Sequence, residues 1–249
     1  MHIDRLDAIY HAESALPEFR VTSGDAAPEI ADHAASLVPD NATVQIGIGR
    51  LPDQVLARLA GRRNLTLQAG IVTAAGLALL ESGAATRIVA GLAMGDENFY
   101  RRIADAAAVA FRPVSLTHGS EGLRDIPGFI ALNTALEVDL FGQGNCETEK
   151  GRVRASFGGL NDFLRAAQAS PGGCSVLMLP ASRIVASIGD PGLVSVQRGD
   201  VDIVVTEHGI ANLRGLGLDA RAAALIAIAA SERCDALAAH WAQRRATLA

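Results

Sequence analysis

A unit of strand, glycine turn and helix near the start of the chain constrains the fold most strongly. Residues 44–48 are rich in β-branched and apolar side chains, Gly47 and Gly49 interrupt their end, and Pro52 opens an amphipathic segment. A helix that starts at such a turn has backbone N–H groups without intrahelical acceptors, which suit a phosphate, a carboxylate or a carbonyl oxygen. We therefore predict a ligand-binding corner at Gly47 and Gly49, with a purely structural turn as the alternative.

The rest of the chain repeats this alternation. Apolar strand-like runs alternate with helical segments of roughly ten to fifteen residues, which is typical of βαβ units. The pattern predicts an α/β fold with a mostly parallel, helix-covered sheet. In detail, we expect one helix to end near Val109 and another to be capped by Asn161. Residues 1–24 are predicted to be a loose N-terminal lead-in.

Charge and cysteine content exclude several functional classes. The 249 residues carry 22 Lys and Arg against 27 Asp and Glu, and the basic residues are scattered, so we expect no nucleic-acid partner. The longest apolar runs are too short for a membrane span, and the N-terminus lacks the pattern of a signal peptide. The odd number of cysteines, with no pair at metal-ligand spacing, favours a reducing compartment and no metal site. These features together predict a cytoplasmic protein.

Seven segments spread along the chain carry a resemblance to a known family when they are taken together. In order, they are IGIGRLPDQVLARL, ESG, FRPV, NTALEVDLFGQGN, FGGLNDFLRAA, VVTEHGIANLRG and an alanine-rich segment that starts at Arg221. Their order and spacing resemble the C-terminal half of family I CoA-transferases, in particular the acetyl-CoA hydrolase/transferase and 4-hydroxybutyrate CoA-transferase branch. The resemblance implies an open three-layer α/β/α domain over residues 25–249, with a CoA thioester as substrate and no permanently bound cofactor.

The resemblance also implies a nucleophile that this chain lacks. In such enzymes a glutamate attacks the thioester and carries CoA until a second carboxylate collects it, while backbone amides stabilise the oxyanion. An ungapped match puts Gly70 at the position of that glutamate, and a gapped match puts Ala74 there. Neither residue has a carboxylate, so the catalytic residue stays unknown. The N-terminal half of the family's proteins is also absent, so we expect a homo-oligomer or a complex with a subunit that supplies it.

Other candidates follow from the same resemblance. Gly158 and Gly159 fall on the family's glycine loop, where we predict contacts with the thioester and the CoA chain, and a tight turn is the alternative. Gln143 and Asn145 fall beside the cleft, where CoA contacts and structural hydrogen bonds are both open. Glu137 lies on the same strand and loop and is a weak catalytic candidate.

For two further groups, a catalytic role and a non-catalytic role are both open. Glu207 stands next to His208 and could form a general-base pair with it, but neighbours on a strand point to opposite faces. Cys146 could act as a nucleophile, but a cysteine without a basic partner is usually inert. Two functions therefore remain open: an enzyme that transfers or hydrolyses a short-chain acyl-CoA, and a non-catalytic CoA-binding or regulatory subunit or decayed remnant.

Overall fold

The computed structural model describes residues 7–8, 10–11, 13–19, 28–189 and 192–248. Most of the predicted lead-in, residues 1–24, lies outside the described residues. The described residues 13–19 form no helix or strand, but their end contacts the folded body. The Phe19 N–H donates to the Gly95 carbonyl at 2.9 Å, and the Tyr100 hydroxyl donates to the Pro17 carbonyl at 2.9 Å.

The described part of the chain contains thirteen strands, eight of which form the central sheet. The strands are β1 Thr43–Ile46, β2 Leu65–Val72, β3 Ala85–Ala93, β4 Val109–Phe111, β5 Phe129–Thr134, β6 Glu137–Asp139, β7 Gly144–Asn145, β8 Thr148–Glu149, β9 Arg152–Val153, β10 Cys174–Met178, β11 Ile184–Val185, β12 Ile203–Thr206 and β13 Gly209–Asn212. The central sheet has the order β13-β12-β10-β5-β1-β2-β3-β4. All of its pairings are parallel except that of β12 with β13. The predicted mostly parallel sheet is confirmed.

Helices cover both faces of this sheet and give the three-layer α/β/α fold. They are α1 Pro28–Ser36, α2 Arg50–Arg58, α3 Ala74–Glu81, α4 Glu97–Ala104, α5 Val114–Thr117, α6 Ser120–Arg124, α7 Leu160–Ala169, α8 Leu218–Ala227 and α9 Cys234–Leu248. Helices α1 to α4 contribute to one buried apolar cluster, whereas α6 to α9 contribute to the other.

Strand β5 shows how one sequence serves both clusters. Ile130 and Leu132 belong to the first cluster, while Phe129 and Ala131 belong to the second. Successive side chains of a strand point to opposite faces, and both faces are covered here, so most positions are apolar. This requirement explains why the strands in the middle of the sheet are largely apolar runs.

Two local predictions are wrong. The helix predicted to end near Val109 ends at Ala104, because residues 109–111 instead pair with β3 as an edge strand. The intervening alanine-rich run has helical propensity, but the sheet pairing overrides it. Helix α7 is capped by Gly159 and not by Asn161, which is already inside the helix and donates its side-chain N–H to the Ser195 carbonyl at 3.0 Å.

The order of the strands fixes where a ligand can bind. From β1 the chain adds β2, β3 and β4 on one side, and then returns to place β5, β10 and β12 on the other side. The crossover helices beside β1 and β5 therefore lie on opposite faces of the sheet. In an open parallel sheet, such a reversal leaves a crevice at the carboxyl ends of the two strands, which is the usual ligand site.

Candidate active site

A cleft of about 320 Å³ lies at this reversal point. Its floor comes from the ends of β1 and β5, and its walls come from β2, the residue after α5 and the start of α7. The lining residues are Gln45, Ile46, Gly47, Ile48, Gly70, Ile71, His118, Asn133, Thr134, Cys146, Ala155, Ser156, Phe157, Gly159, Leu160 and Phe163. Gly47, Gly70 and Gly159, which we singled out from the sequence, are thus brought together from three distant segments.

Two buried amides join the strands of the floor. The Gln45 side-chain N–H donates to Asn133 Oδ1 at 3.3 Å, and the Asn133 side-chain N–H donates to Gln45 Oε1 at 2.8 Å. Such a reciprocal pair satisfies both amides away from water and fixes their orientation. Our sequence analysis missed both residues, although a polar side chain inside each of two otherwise apolar strands was the available signal.

Gly70 leaves bare backbone in the wall contributed by β2. A Cβ on Gly70 would lie 3.1 Å from Nε2 and 3.2 Å from Cε1 of His118. The imidazole edge of His118 therefore faces the place from which a side chain at position 70 would project. The gapped alternative is less suitable, because Ala74 is the first residue of α3 and does not line the cleft.

His118 is the functional candidate that the sequence analysis missed. Its ring packs against the ring of Phe163, with the centroids 4.5 Å apart. Its Nδ1 lies 2.8 Å from Oγ1 of the buried Thr117. Burial lowers the pKa of the imidazole, and the nearby Asp162 carboxylate opposes this shift in part. The ring is therefore held in a defined position, and its neutral form is favoured.

The two positions of the predicted loop are glycines for different structural reasons. Gly158 has φ +50°, a conformation that favours glycine. Gly159 has an ordinary φ of −87°, but a Cβ there would lie 2.0 Å from Cδ2 of His118. Gly159 is required because it leaves room for the imidazole. As the N-cap of α7, it also brings the first turn of a helix to the cleft, where N–H groups have no intrahelical acceptor.

The first predicted glycine corner is divided between two cavities. Gly47 lines the cleft, but its N–H donates to the Leu132 carbonyl at 3.1 Å. Gly49, with φ +121°, is the N-cap of α2 and lines a neighbouring cavity of about 340 Å³. Ile48 and Thr134 line both cavities, so the two spaces adjoin.

The predicted residues on β6, on β7 and between these strands lie outside the cleft. Asn145 is buried, and its side-chain N–H groups donate to Glu137 Oε2 at 3.1 Å and to the Thr148 carbonyl at 2.8 Å. Its Oδ1 accepts hydrogen bonds from Thr148 and Glu147. These contacts support the structural reading of Asn145. Gln143 is half-buried, and its backbone N–H donates to Asp139.

Glu207 and His208 hydrogen-bond to two different parts of the backbone. Glu207 Oε2 accepts a hydrogen bond from the Ala181 N–H at 2.7 Å, whereas His208 Nδ1 lies 2.8 Å from the Ala229 carbonyl oxygen. Neither residue lines the cleft. These contacts support the hypothesis that both residues are structural.

Cys146 does line the cleft, but its thiol is poorly suited to attack. Burial, with a smaller effect of the Glu147 carboxylate, raises the pKa of the Cys146 thiol to about 12. A thiol with this pKa is almost entirely protonated at neutral pH, and the thiolate is the reactive form. The chemistry of the cleft therefore has to come from its other polar groups.

Two further features concern the described residues as a whole. Within them, no group of three or more His, Cys, Asp and Glu side chains is arranged to hold a metal ion. Among their helices, none combines the length and apolar character needed to cross a bilayer.

Comparison with known proteins gives concordant results. The family described as "Acetyl-CoA hydrolase/transferase C-terminal domain" matches residues 95–241. The 4-hydroxybutyrate coenzyme A transferase of Clostridium kluyveri is 30% identical over 246 residues, covering 92% of this chain and 57% of that protein. The structure of RipA from Yersinia pestis has a TM-score of 0.90 at 30% identity, over 98% of this chain and 59% of its own.

A 4-hydroxybutyrate CoA-transferase from Porphyromonas gingivalis has a TM-score of 0.83 at 29% identity, over 98% of this chain and 62% of its own. The chain thus spans a little more than half the length of these three proteins. The matched family segment begins after Gly70 and does not include it.

Proposed function

This chain belongs to the acetyl-CoA hydrolase/transferase family, and we propose that it binds a short-chain acyl-CoA in the cleft and hydrolyses the thioester by direct attack of water. The observation that carries the proposal is the bare backbone at Gly70, where the family resemblance implies a glutamate. None of the cleft-lining residues in the described part of the chain is an Asp or a Glu. The described cleft residues therefore offer no carboxylate nucleophile for CoA transfer through an enzyme-bound thioester.

Water can replace the missing nucleophile if the cleft still polarises the thioester. The acyl carbonyl would lie between Gly70 and the N-terminus of α7, with Gly158 and Gly159 beside it. N–H groups at a helix start stabilise a developing oxyanion because they point towards it, and the positive end of the helix dipole also attracts its negative charge. Gly47 would bound the acyl group, and Gly49 would contact CoA in the adjoining cavity.

The remaining predicted contacts have weaker support. Gln143 could reach CoA only outside the cleft, and the amide of Asn145 already makes the hydrogen bonds described above. Glu137 and Glu207 are not needed in the proposed reaction, because each accepts a hydrogen bond elsewhere. The domain is proposed to extend over residues 25–249. A cytoplasmic location is part of the proposal and is supported by the free thiols of Cys146, Cys174 and Cys234.

The cleft is proposed to be completed by a second copy of the chain or by a polypeptide equivalent to the remainder of the longer relatives. The sheet edge beside the cleft supports this proposal. Leu92, Phe111, Val114 and Leu116 are 47%, 40%, 68% and 63% exposed at the end of β3, on β4 and on α5. We call these four residues the edge patch. Apolar side chains grouped in this way mark interaction surfaces more often than single exposed ones do.

We therefore expect the protein to form a dimer or a complex through the edge patch. Leu116→Asp should weaken this association by about tenfold or more, because it places a charge in an apolar contact. Val153→Asp is the matched control, since Val153 is 74% exposed on β9, outside the patch. Light scattering at micromolar concentration measures the association. A monomer that captures no partner from its native lysate would contradict the expectation.

The second candidate function is a CoA-binding subunit without catalysis. The same observation favours it, because a cleft without a carboxylate could retain the ligand and lose the reaction. It differs from the first in one measurable respect: it would bind acyl-CoA and leave the thioester intact.

Incubating the full chain with acetyl-CoA and excess propionate separates these functions. We expect free CoA and acetate to accumulate and no propionyl-CoA to form, because water and not a second carboxylate takes the acyl group. Liquid chromatography of the acyl-CoA pool measures both products. Formation of propionyl-CoA would show transferase chemistry, and calorimetric binding of acetyl-CoA without CoA release would favour the non-catalytic subunit.

A further inference from the structure

The imidazole of His118 is the basic group that faces the bare backbone of Gly70. We propose that His118 is the general base of the hydrolysis, and that its Nε2 removes a proton from the water that attacks the thioester carbonyl. This proposal rests on the proposed hydrolytic function. It goes beyond that function in naming a catalytic residue that stands in place of a carboxylate nucleophile.

The position of Nε2 supports this role. A Cβ on Gly70 would be 3.1 Å from Nε2, so the imidazole edge lies directly beside the strand, and both residues border the open space of the cleft. A water in that space would be within hydrogen-bond reach of Nε2, and a thioester carbonyl above Gly70 would be next to it. A general base must first satisfy this geometric condition.

Three contacts hold the ring in the required orientation. The Phe163 ring packs against the imidazole at a tilt of 43°, Gly159 leaves room on one edge, and Thr117 Oγ1 lies 2.8 Å from Nδ1. The Thr117 hydroxyl is also 3.5 Å from the Val114 carbonyl oxygen, which can accept its proton. Thr117 Oγ1 then accepts the hydrogen bond from Nδ1–H, and Nε2 carries the lone pair that a base needs.

Thr117 is itself held firmly. It is fully buried, and its carbonyl oxygen accepts a hydrogen bond at 3.1 Å from the side chain of Gln68 on β2. The strand that carries Gly70 therefore also positions the residue that orients His118. This arrangement fixes the position of the imidazole relative to the wall of the cleft.

The reaction balances with water as the only co-substrate. The water oxygen forms a bond to the thioester carbonyl carbon while His118 Nε2 takes one water proton. The carbon–sulfur bond of the tetrahedral intermediate then breaks, and the imidazolium returns the proton to the leaving thiolate of CoA. The products are a carboxylic acid and CoA, and the imidazole is neutral again.

Burial, and not the surrounding charge, favours a neutral resting ring at His118. Burial lowers the pKa of His118, and Asp162 on α7 is the charge that opposes the shift. Strand β2 has no ionisable side chain, and Arg87 of β3 is paired with Thr66, at the far end of β2 from Gly70. On α6, Arg124 lies 3.9 Å from Asp125. The hydrolysis rate should therefore rise with pH and level off above the pKa of His118, which lies below the ordinary value of an imidazole.

The test compares His118→Gln and His118→Ala with the wild-type chain, using acetyl-CoA and butyryl-CoA as probes and the release of free thiol as the readout. We expect kcat to fall by roughly 100-fold or more in both variants, with KM changed by less than about threefold. Added imidazole should restore part of the activity of His118→Ala, because it can occupy the vacated space. The acidic step in the pH profile should disappear in His118→Gln.

The control is His33→Gln. His33 is also half-buried and places its Nδ1 3.0 Å from the Thr206 carbonyl oxygen, but it does not line the cleft. The activity of the His33→Gln variant should match that of the wild type. Equal wild-type and His118→Gln activity would overturn the role of His118 and leave the hydrolytic function intact. A loss of activity that follows loss of folding by circular dichroism, without imidazole rescue, would also overturn it. No thiol release by the wild type would overturn the hydrolytic function itself, and this proposal with it.

Discussion

Gly159→Ala should lower acetyl-CoA hydrolysis by roughly 100-fold, an effect as large as loss of the general base, while the protein stays folded. A Cβ on Gly159 would lie 2.0 Å from Cδ2 and 2.4 Å from Nε2 of His118, so the imidazole has to leave its position. The backbone can keep its conformation in the variant, because the φ of −87° at position 159 is accessible to alanine. Thiol release from acetyl-CoA and the circular dichroism spectrum measure the two parts of this expectation.

A double-mutant comparison separates displacement of His118 from damage to the loop. Once His118→Ala has removed the ring, Gly159→Ala should cause little further loss, because the two changes remove the same interaction. Gly122→Ala is the matched control: a Cβ there would have no neighbouring atom within 4 Å, and the residue is exposed on α6. Losses that multiply in the double variant would show that Gly159 acts independently of His118.

Asp202→Ala should destabilise the protein by about 3 kcal/mol. Asp202 is 5% exposed, and its carboxylate accepts hydrogen bonds from the Ser175 N–H at 3.0 Å, from the side chain of Gln168 at 3.0 Å and from Arg214 at 2.7 Å. Removing it leaves the buried Ser175 N–H without this acceptor and takes one partner from Gln168 and from Arg214, at the end of the sheet where β10, β12 and β13 meet. Urea unfolding measures the change in the free energy of unfolding.

The same network predicts how stability depends on pH. Burial raises the pKa of Asp202, but its hydrogen bonds to Arg214, Ser175 and Gln168 outweigh burial and leave the pKa below its ordinary value. A carboxyl with a depressed pKa contributes stability that is present at neutral pH and is lost as the pH falls through its folded-state pKa. The difference in unfolding free energy between wild type and Asp202→Ala should therefore shrink in acid.

Asp32→Ala is the control, because Asp32 makes an exposed ion pair with Arg58, and such pairs contribute only about 0 to 1 kcal/mol. Similar losses for Asp32→Ala and Asp202→Ala would contradict the account of the buried network.

The layers of the fold could be predicted because their causes are local in the sequence. Continuous apolar runs such as residues 129–132 identify strands that are buried on both faces, and the alternation with helices implies parallel pairing. The end of α4 could not be predicted in this way. Residues 104–110 suit a helix by composition, and only their proximity to β3 makes 109–111 a strand.

The site was predicted in part, and the reason is again distance along the chain. Gly70 and Gly159 were identified because the family resemblance gives each a position in a motif. His118 belongs to no such motif, and its partners lie 48 residues before it and 41 residues after it. A histidine directly after a buried threonine carries little signal until the crossover connections bring these segments together. Glu137, Gln143, Asn145 and Glu207 lie within the segments that carry the resemblance, but their contacts are structural in character.

The measurement that tests the central claim most directly is a single turnover of acetyl-CoA in water enriched in oxygen-18. Direct attack by water predicts that the acetate of the first turnover carries one solvent oxygen and that the mass of the protein is unchanged. A carboxylate nucleophile would instead give its own oxygen to the first acetate, and the protein would gain either solvent label or the mass of CoA on an acidic side chain. Unlabelled first-turnover acetate together with a heavier protein would contradict the account.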